Sequence, residues 1–213
     1  INANQENAAQ ALSLSPDRVF IGGYTNMDLP NTANAFDGVR GGTHDGFIAV
    51  FSKTLDVLHY GSYLGSNNAD LLGVTSIQAL TDTTYVCGLT TAGDLGATYV
   101  PVAAYDITYN GSTDMYLCKF NRINTLSWGT YVGGSSAETF NDLEVFPDGR
   151  ITFAGWGASL ALGEVNSAAA ASGGADNDGI IGVLSSNGTT MSYLDKIGGC
   201  LLYTSPSPRD GLL

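Results

Sequence analysis

Three aspartates, Asp45, Asp114 and Asp178, recur directly after stretches rich in Gly, Ser, Thr and Asn, each at the head of a run of alternating apolar residues. A carboxylate in that setting accepts backbone N–H groups and fastens the turn. With the neighbouring Asn, Asp and carbonyl oxygens it is also the kind of hard-oxygen set that takes calcium. The loops lack the acidic spacing and the bidentate glutamate of an EF-hand, so turn fastening is the favoured reading and calcium the alternative. No other cofactor is expected.

Other groups capable of chemistry are scattered. The chain has two histidines, His44 beside Asp45 and His59 in a strand-like run, and neither has the convergent partners that a metal site or a general base requires. Gly173-Gly174 with Asp176 and Asp178 could form an anion or metal loop, but a flexible connection explains them as well. Glu138, Glu144 and Glu164 are candidate carboxylates for glycoside chemistry, which needs two at a set separation; the sequence pairs none of them. A Gly-x-Ser-x-Gly nucleophile elbow is absent. No catalytic, cofactor-binding or metal residue is therefore assigned.

The elements around these residues repeat. Trp128-Gly-Thr-Tyr-Val-Gly-Gly134 is written earlier as Tyr60-Gly-Ser-Tyr-Leu-Gly65 and later, degraded, as Tyr193-Leu-Asp-Lys-Ile-Gly-Gly199, at a period of about 65 residues. A hairpin precedes each copy. Ala11–Leu14 and Arg18–Thr25 flank Ser15-Pro-Asp17; Thr75–Ile77 and Gly88–Thr90 flank Thr81-Asp-Thr83; Leu143–Phe146 and Arg150–Gly155 flank Pro147-Asp-Gly149. After a connection of roughly two dozen residues, longer than ordinary hairpin loops, come third strands at His44–Ser52, Thr113–Asn121 and Asn177–Ser185. Phe47, Tyr116 and Ile180 share one place in these strands, and Phe51, Phe120 and Leu184 another, on one face.

Four strands per unit with apolar residues on both faces is the content of a β-propeller blade, because such a sheet must be covered on each side by a neighbour. The expected fold is all-β, a partial propeller of about three four-stranded antiparallel blades. It occupies residues 1–199, with repeats near 6–65, 66–133 and 134–199; residues 1–10 are read as a partial element. Residues 200–213, Cys200 included, break the pattern and read as a non-native tail, similar to translated adapter sequence. The chain opens on Ile1, so a start lying upstream is expected.

Within this frame the recurring side chains acquire a structural explanation. Tyr60, Trp128 and Tyr193 share one place, and Tyr63 and Tyr131 another. Exposed on a rim they could stack on sugars, but residues present in every blade are better explained by the contact every blade makes. Cys87 is aligned with Gly22 and Ala154, and Cys118 with Ala49 and Gly182, which reads as small buried sites filled by free cysteine. A bridge between Cys87 and Cys118 in an oxidising setting is the competing reading.

The run Val19–Asn31, then Ala35-Phe36, Gly41–Phe47 and Ser62–Gly65 resembles the bacterial SBBP, or seven-bladed β-propeller, repeat. The likeness covers roughly residues 6–199 in three copies, closest in the first; the third replaces the proline-bearing connection with an Ala/Ser/Gly-rich stretch. It implies a propeller of more than three blades, completed by the remaining blades of the same protein. It also implies a large secreted or cell-surface setting, and carries over no catalytic residue.

Composition agrees. The 213 residues are 44% hydrophobic and 13% charged, with 28 glycines, which favours short strands joined by tight turns over disorder. Twenty acidic against eight basic residues give a net charge of −12, which disfavours nucleic acid and anionic lipid as partners. No apolar run of about 18 residues could span a membrane. The expected function is a non-catalytic interaction or scaffold module binding protein or glycan. The alternatives are part of a propeller-fold glycoside hydrolase or lyase with its catalytic residues elsewhere, and a structural spacer.

Overall fold

The computed structural model describes residues 6–65, 73–101, 103–159, 162–163, 165–166 and 177–198. Among these residues twelve strands form three four-stranded antiparallel sheets, a partial, open β-propeller-like array. Blade 1 contains β1 (Asn7–Leu14), β2 (Arg18–Thr25), β3 (Asp45–Ser52) and β4 (Leu58–Leu64). Blade 2 contains β5 (Gly73–Ala79), β6 (Tyr85–Thr91), β7 (Asp114–Asn121) and β8 (Thr125–Val132). Blade 3 contains β9 (Glu138–Val145), β10 (Ile151–Gly157), β11 (Asp178–Leu184) and β12 (Met191–Ile197). Strands pair in chain order within each blade.

Each blade repeats its irregularities as well as its strands. The first strand carries one extra residue, Gln10, Thr75 or Asn141, and the fourth carries His59, Ser127 or Ser192 at the matching place. Such bulges sharpen the local twist. His59 is thus the exposed residue of a bulge.

Blades stack through their first strands. β5 lies against β1, β2 and β3, and β9 against β5, β6 and β7. Ser76 Oγ donates to Asp142 Oδ1 at 2.7 Å, and Ser13 Oγ accepts the Ala79 N–H at 2.9 Å. The core between blades 1 and 2 is aromatic: Tyr85 stacks on Phe120 with centroids 5.1 Å apart and tilts onto Phe20 at 5.4 Å. The second core, between blades 2 and 3, includes Met115, Leu117, Trp128, Phe140 and Phe153.

Described parts of the long connections bond to the outer, fourth strand of their own blade. In blade 1 the Thr32 N–H reaches Gly61 O at 3.1 Å and the Tyr63 N–H reaches Asp37 O at 3.0 Å. In blade 2 the Tyr131 N–H donates to Asp106 O at 3.1 Å; in blade 3 Val165 and Leu194 exchange two backbone bonds of 3.0 and 2.9 Å. These bonds occupy part of the otherwise unpaired edge of each fourth strand, which suppresses edge-to-edge pairing.

Three expectations need correction. Residues 1–10 do not form a partial element throughout: β1 begins at Asn7 and pairs along β2, its low-apolar start held by backbone bonds that composition does not register. β9 begins at Glu138, ahead of the expected Leu143, because the bulge at Asn141 breaks the alternation. The alignment of Cys87 is one residue off. Cys118, Ala49 and Gly182 are equivalent, and their cross-strand partners are Cys87, Ile21 and Phe153, while Gly22, Gly88 and Ala154 form the neighbouring row. The Cys87 place therefore does not demand a small side chain. What is shared is the pair: Ile beside Ala, Cys beside Cys, Phe beside Gly. Residues 200–213, Cys200 among them, and Gly173, Gly174 and Asp176 lie outside the described residues.

Candidate functional site

The recurring aspartates head β3, β7 and β11, at the end of the array where the long connections enter, and all three are buried. Asp45 Oδ2 accepts the Gly41 N–H at 2.7 Å and Asp114 Oδ2 accepts the Asn110 N–H at 3.0 Å, each closing the turn four residues back. This is the turn-fastening role read from sequence. The second oxygen of each, Asp45 Oδ1 and Asp114 Oδ1, is buried without a hydrogen-bond partner. Asp114 lies against Gly133, where a Cβ would sit 2.5 Å from the carboxylate, and Asp178 lies likewise against Gly198. The glycine that ends the repeated motif is thus required by close approach of this side chain.

Burial pushes Asp114 up from 3.8 to about 6; the charges of Glu138 and Asp106 add to the rise and the N–H groups of Asn110 and Gly111 oppose it. Asp45 is likewise raised to about 6 by burial, with the Gly41 N–H and Arg40 opposing and Asp37 adding. The unfolded carboxyl ionises near 3.8, so between about pH 4 and pH 6 the folded state holds more protons and stability falls as pH rises. Asp114→Asn keeps an acceptor for Asn110 and removes the buried charge. Its expected effect is a flatter profile: the variant gains stability relative to the parent as pH rises from 4 to 7.5. Urea melts at the two pH values check this, and an unchanged slope would refute it.

A polar hollow of ≈ 540 Å³ lies beside Asp114, lined among others by Tyr105, Asp106, Asn110, Ser135 and Gly163. Glu138, fully buried, has both carboxylate oxygens engaged: Oε2 accepts the Gly134 N–H at 2.7 Å and Oε1 the Ser159 N–H at 3.2 Å. It is therefore a clasp between β9 and its flanking loops. Glu144 is exposed on the axis side of blade 3, and Glu164 lies outside the described residues. His44 is half-buried, 3.8 Å from Glu6 Oε2 and edge-on to Tyr24. Among the described residues no group of three or more His, Cys, Asp or Glu is placed to hold a metal ion. No described helix is long and apolar enough to cross a membrane.

The recurring aromatics are committed to the blades. Tyr60, Tyr63, Trp128 and Tyr131 are buried, and Tyr193 is half-buried with its hydroxyl on Asp195 Oδ2 at 2.9 Å. Tyr63 Oη accepts the Leu29 N–H and Tyr131 Oη the Leu95 N–H, both at 2.7 Å. Each thus pins the start of a long connection. Sequence reading missed this second function of the tyrosine, although the matched Asp28-Leu29 and Asp94-Leu95 pairs carry its signal.

No protein-family model matches the chain, and no curated protein does. Among solved structures it is similar to the tail fiber of Staphylococcus aureus phage P68, at 6% identity and a TM-score of 0.24. That match covers 90% of this chain and 63% of the fiber chain, so the chain spans less than two thirds of the structure it matches.

The site missed altogether is the outer face of blade 1, a groove of ≈ 370 Å³ lined by apolar residues including Ile21, Pro30, Phe47, Phe51 and Leu58. Its character follows from comparing equivalent places. Leu12 is 66% exposed, whereas Ile77 and Leu143, which hold its place in blades 2 and 3, are 6% and 4% exposed. At the far end of the array Ile197 is 60% exposed, while its counterparts Leu64 and Val132 are at 0% and 1%. Leu12 in blade 1 and Ile197 in blade 3 thus hold places that are covered by a neighbouring blade in the other repeats.

Proposed function

We propose that this chain is a non-catalytic structural and binding module of β-propeller type, built from repeats that resemble SBBP repeats, within a larger secreted or cell-surface protein that recognises protein or glycan. The contrast between covered Ile77 and Leu143 and uncovered Leu12 carries the reading. The carboxylates of Asp45 and Asp114 and the hydroxyl of Tyr131 are engaged in holding turns and connections, while the outer face of blade 1 is an uncovered apolar groove of the kind a further blade would fill. A face of that composition gains about 25 cal/mol per Å² of apolar surface covered, and further blades of the same protein are the partners whose chemistry matches it.

Hydroxyl-radical footprinting of Leu12, Leu14 and Ile197 tests this in the chain alone and in the protein read from the uninterrupted gene. Strong labelling in the first and protection in the second are expected; equal labelling in both would overturn it. Turnover of a glycoside or polysaccharide by the longer protein would replace it with the enzyme reading.

A further inference from the structure

We infer that Cys87 and Cys118 are joined by a disulfide across β6 and β7 when the chain folds under oxidising conditions. The two residues are direct register partners, and both are fully buried in the core between blades 1 and 2. Their sulfurs are 3.1 Å apart, inside the ~3.5–4.0 Å at which non-bonded heavy atoms sit best. Directly opposed antiparallel residues have Cα atoms about 4.5–5.5 Å apart, within the roughly 4.4–6.8 Å that a disulfide spans. The bond therefore needs a small approach of the sulfurs and no change of register.

The equivalent pairs sharpen the point. Blades 1 and 3 fill this cross-strand place with one large and one small side chain, Ile21 beside Ala49 and Phe153 beside Gly182. In blade 3 the Phe153 ring lies where a Cβ on Gly182 would be, at 2.2 Å. Blade 2 instead fills it with two side chains of equal reach whose reactive atoms meet. The strands so joined flank the long connection 92–113, whose Tyr99 crosses to blade 1 and donates to Asp37 Oδ2 at 2.8 Å. A bridge would hold both ends of that connection.

Both thiols are covered in the folded state, so the exchange takes place before blade 1 closes over the pair. One cysteine thiolate attacks a small-molecule disulfide such as oxidised glutathione, forming a mixed disulfide and releasing one reduced thiol. The second cysteine then attacks the protein sulfur of that mixed disulfide, the Cys87–Cys118 bond forms, and the second reduced thiol leaves. Two electrons pass to the small disulfide, and the two protons lost by the cysteines end on the thiols released.

The full chain carrying Cys200→Ser, refolded in a reduced/oxidised glutathione buffer, is the material for the test. Peptide mapping without reduction is expected to find the Cys87 and Cys118 peptides linked, and a phosphine reductant is expected to lower Tm by several degrees. A Cys87→Ala/Cys118→Ala variant should show no reductant dependence. Two alkylatable thiols in the glutathione-treated protein, counted after denaturation without reductant, would overturn the proposal, as would a Tm indifferent to reductant in the parent. The inference shares its oxidising setting with the function proposed above, but because the exchange is run in vitro its outcome does not depend on where the protein resides.

Discussion

Replacing Trp128 with alanine is expected to destabilise the fold by about 3–5 kcal/mol. The indole is 4% exposed and sits in the core between blades 2 and 3. Its Nε1–H donates to Ser186 O at 3.1 Å, and its ring covers Gly188, where a Cβ would stand 2.4 Å from the ring. One side chain on β8 thus secures the β11–β12 turn of the next blade by packing and by a directed bond. Removing it opens a cavity at a contact that cannot collapse without separating two sheets. Trp128→Phe keeps most of the packing and loses the bond, at a further-reduced cost of about 1–2 kcal/mol. Urea denaturation with an unchanged m-value checks both. A Trp128→Ala protein as stable as the parent would return the residue to the status of a candidate ligand contact.

The repeat was legible because every blade meets the same demand. Tyr60 and Trp128 recur where each fourth strand faces the next blade, and Asp45 and Asp114 recur where the third strand needs its entering turn held. Identity of place let the sequence say scaffold rather than site. Less legible were features that leave no fixed residue type. The bulge residues are Gln10, Thr75 and Asn141 in the first strands, so no composition marks them, and they shift the alternation by one. Cys87 falls one place from the expected alignment for a related reason, since the space it helps fill is shared across two strands, while Cys118 does align with Ala49 and Gly182. The open faces were invisible in sequence because Leu12 and Leu143 are the same residue type; what differs is whether a blade stands in front.

Phe140 and Gly88 give the other large effect. Phe140 on β9 enters blade 2 so closely that a Cβ on Gly88 would lie 2.1 Å from the tip of its ring. Val74 on β5 stands over Gly22 in the same way, at 2.5 Å. A glycine in the middle of a strand costs conformational entropy, and here the absent side chain forms the socket for the next blade's first strand. In blade 3 the same place is held by Ala154, which is exposed. Phe140→Ala is expected to cost about 3–5 kcal/mol by leaving a cavity, and Gly88→Ala about 1–3 kcal/mol by overpacking. Because the added methyl occupies space that the missing ring vacates, the double variant should cost less than the sum, with a coupling of about 1–2 kcal/mol. Denaturant melts of the four proteins measure it. Simple additivity would mean that the ring does not seat on Gly88, and that glycine recurs in the blades for some reason other than receiving the neighbouring strand.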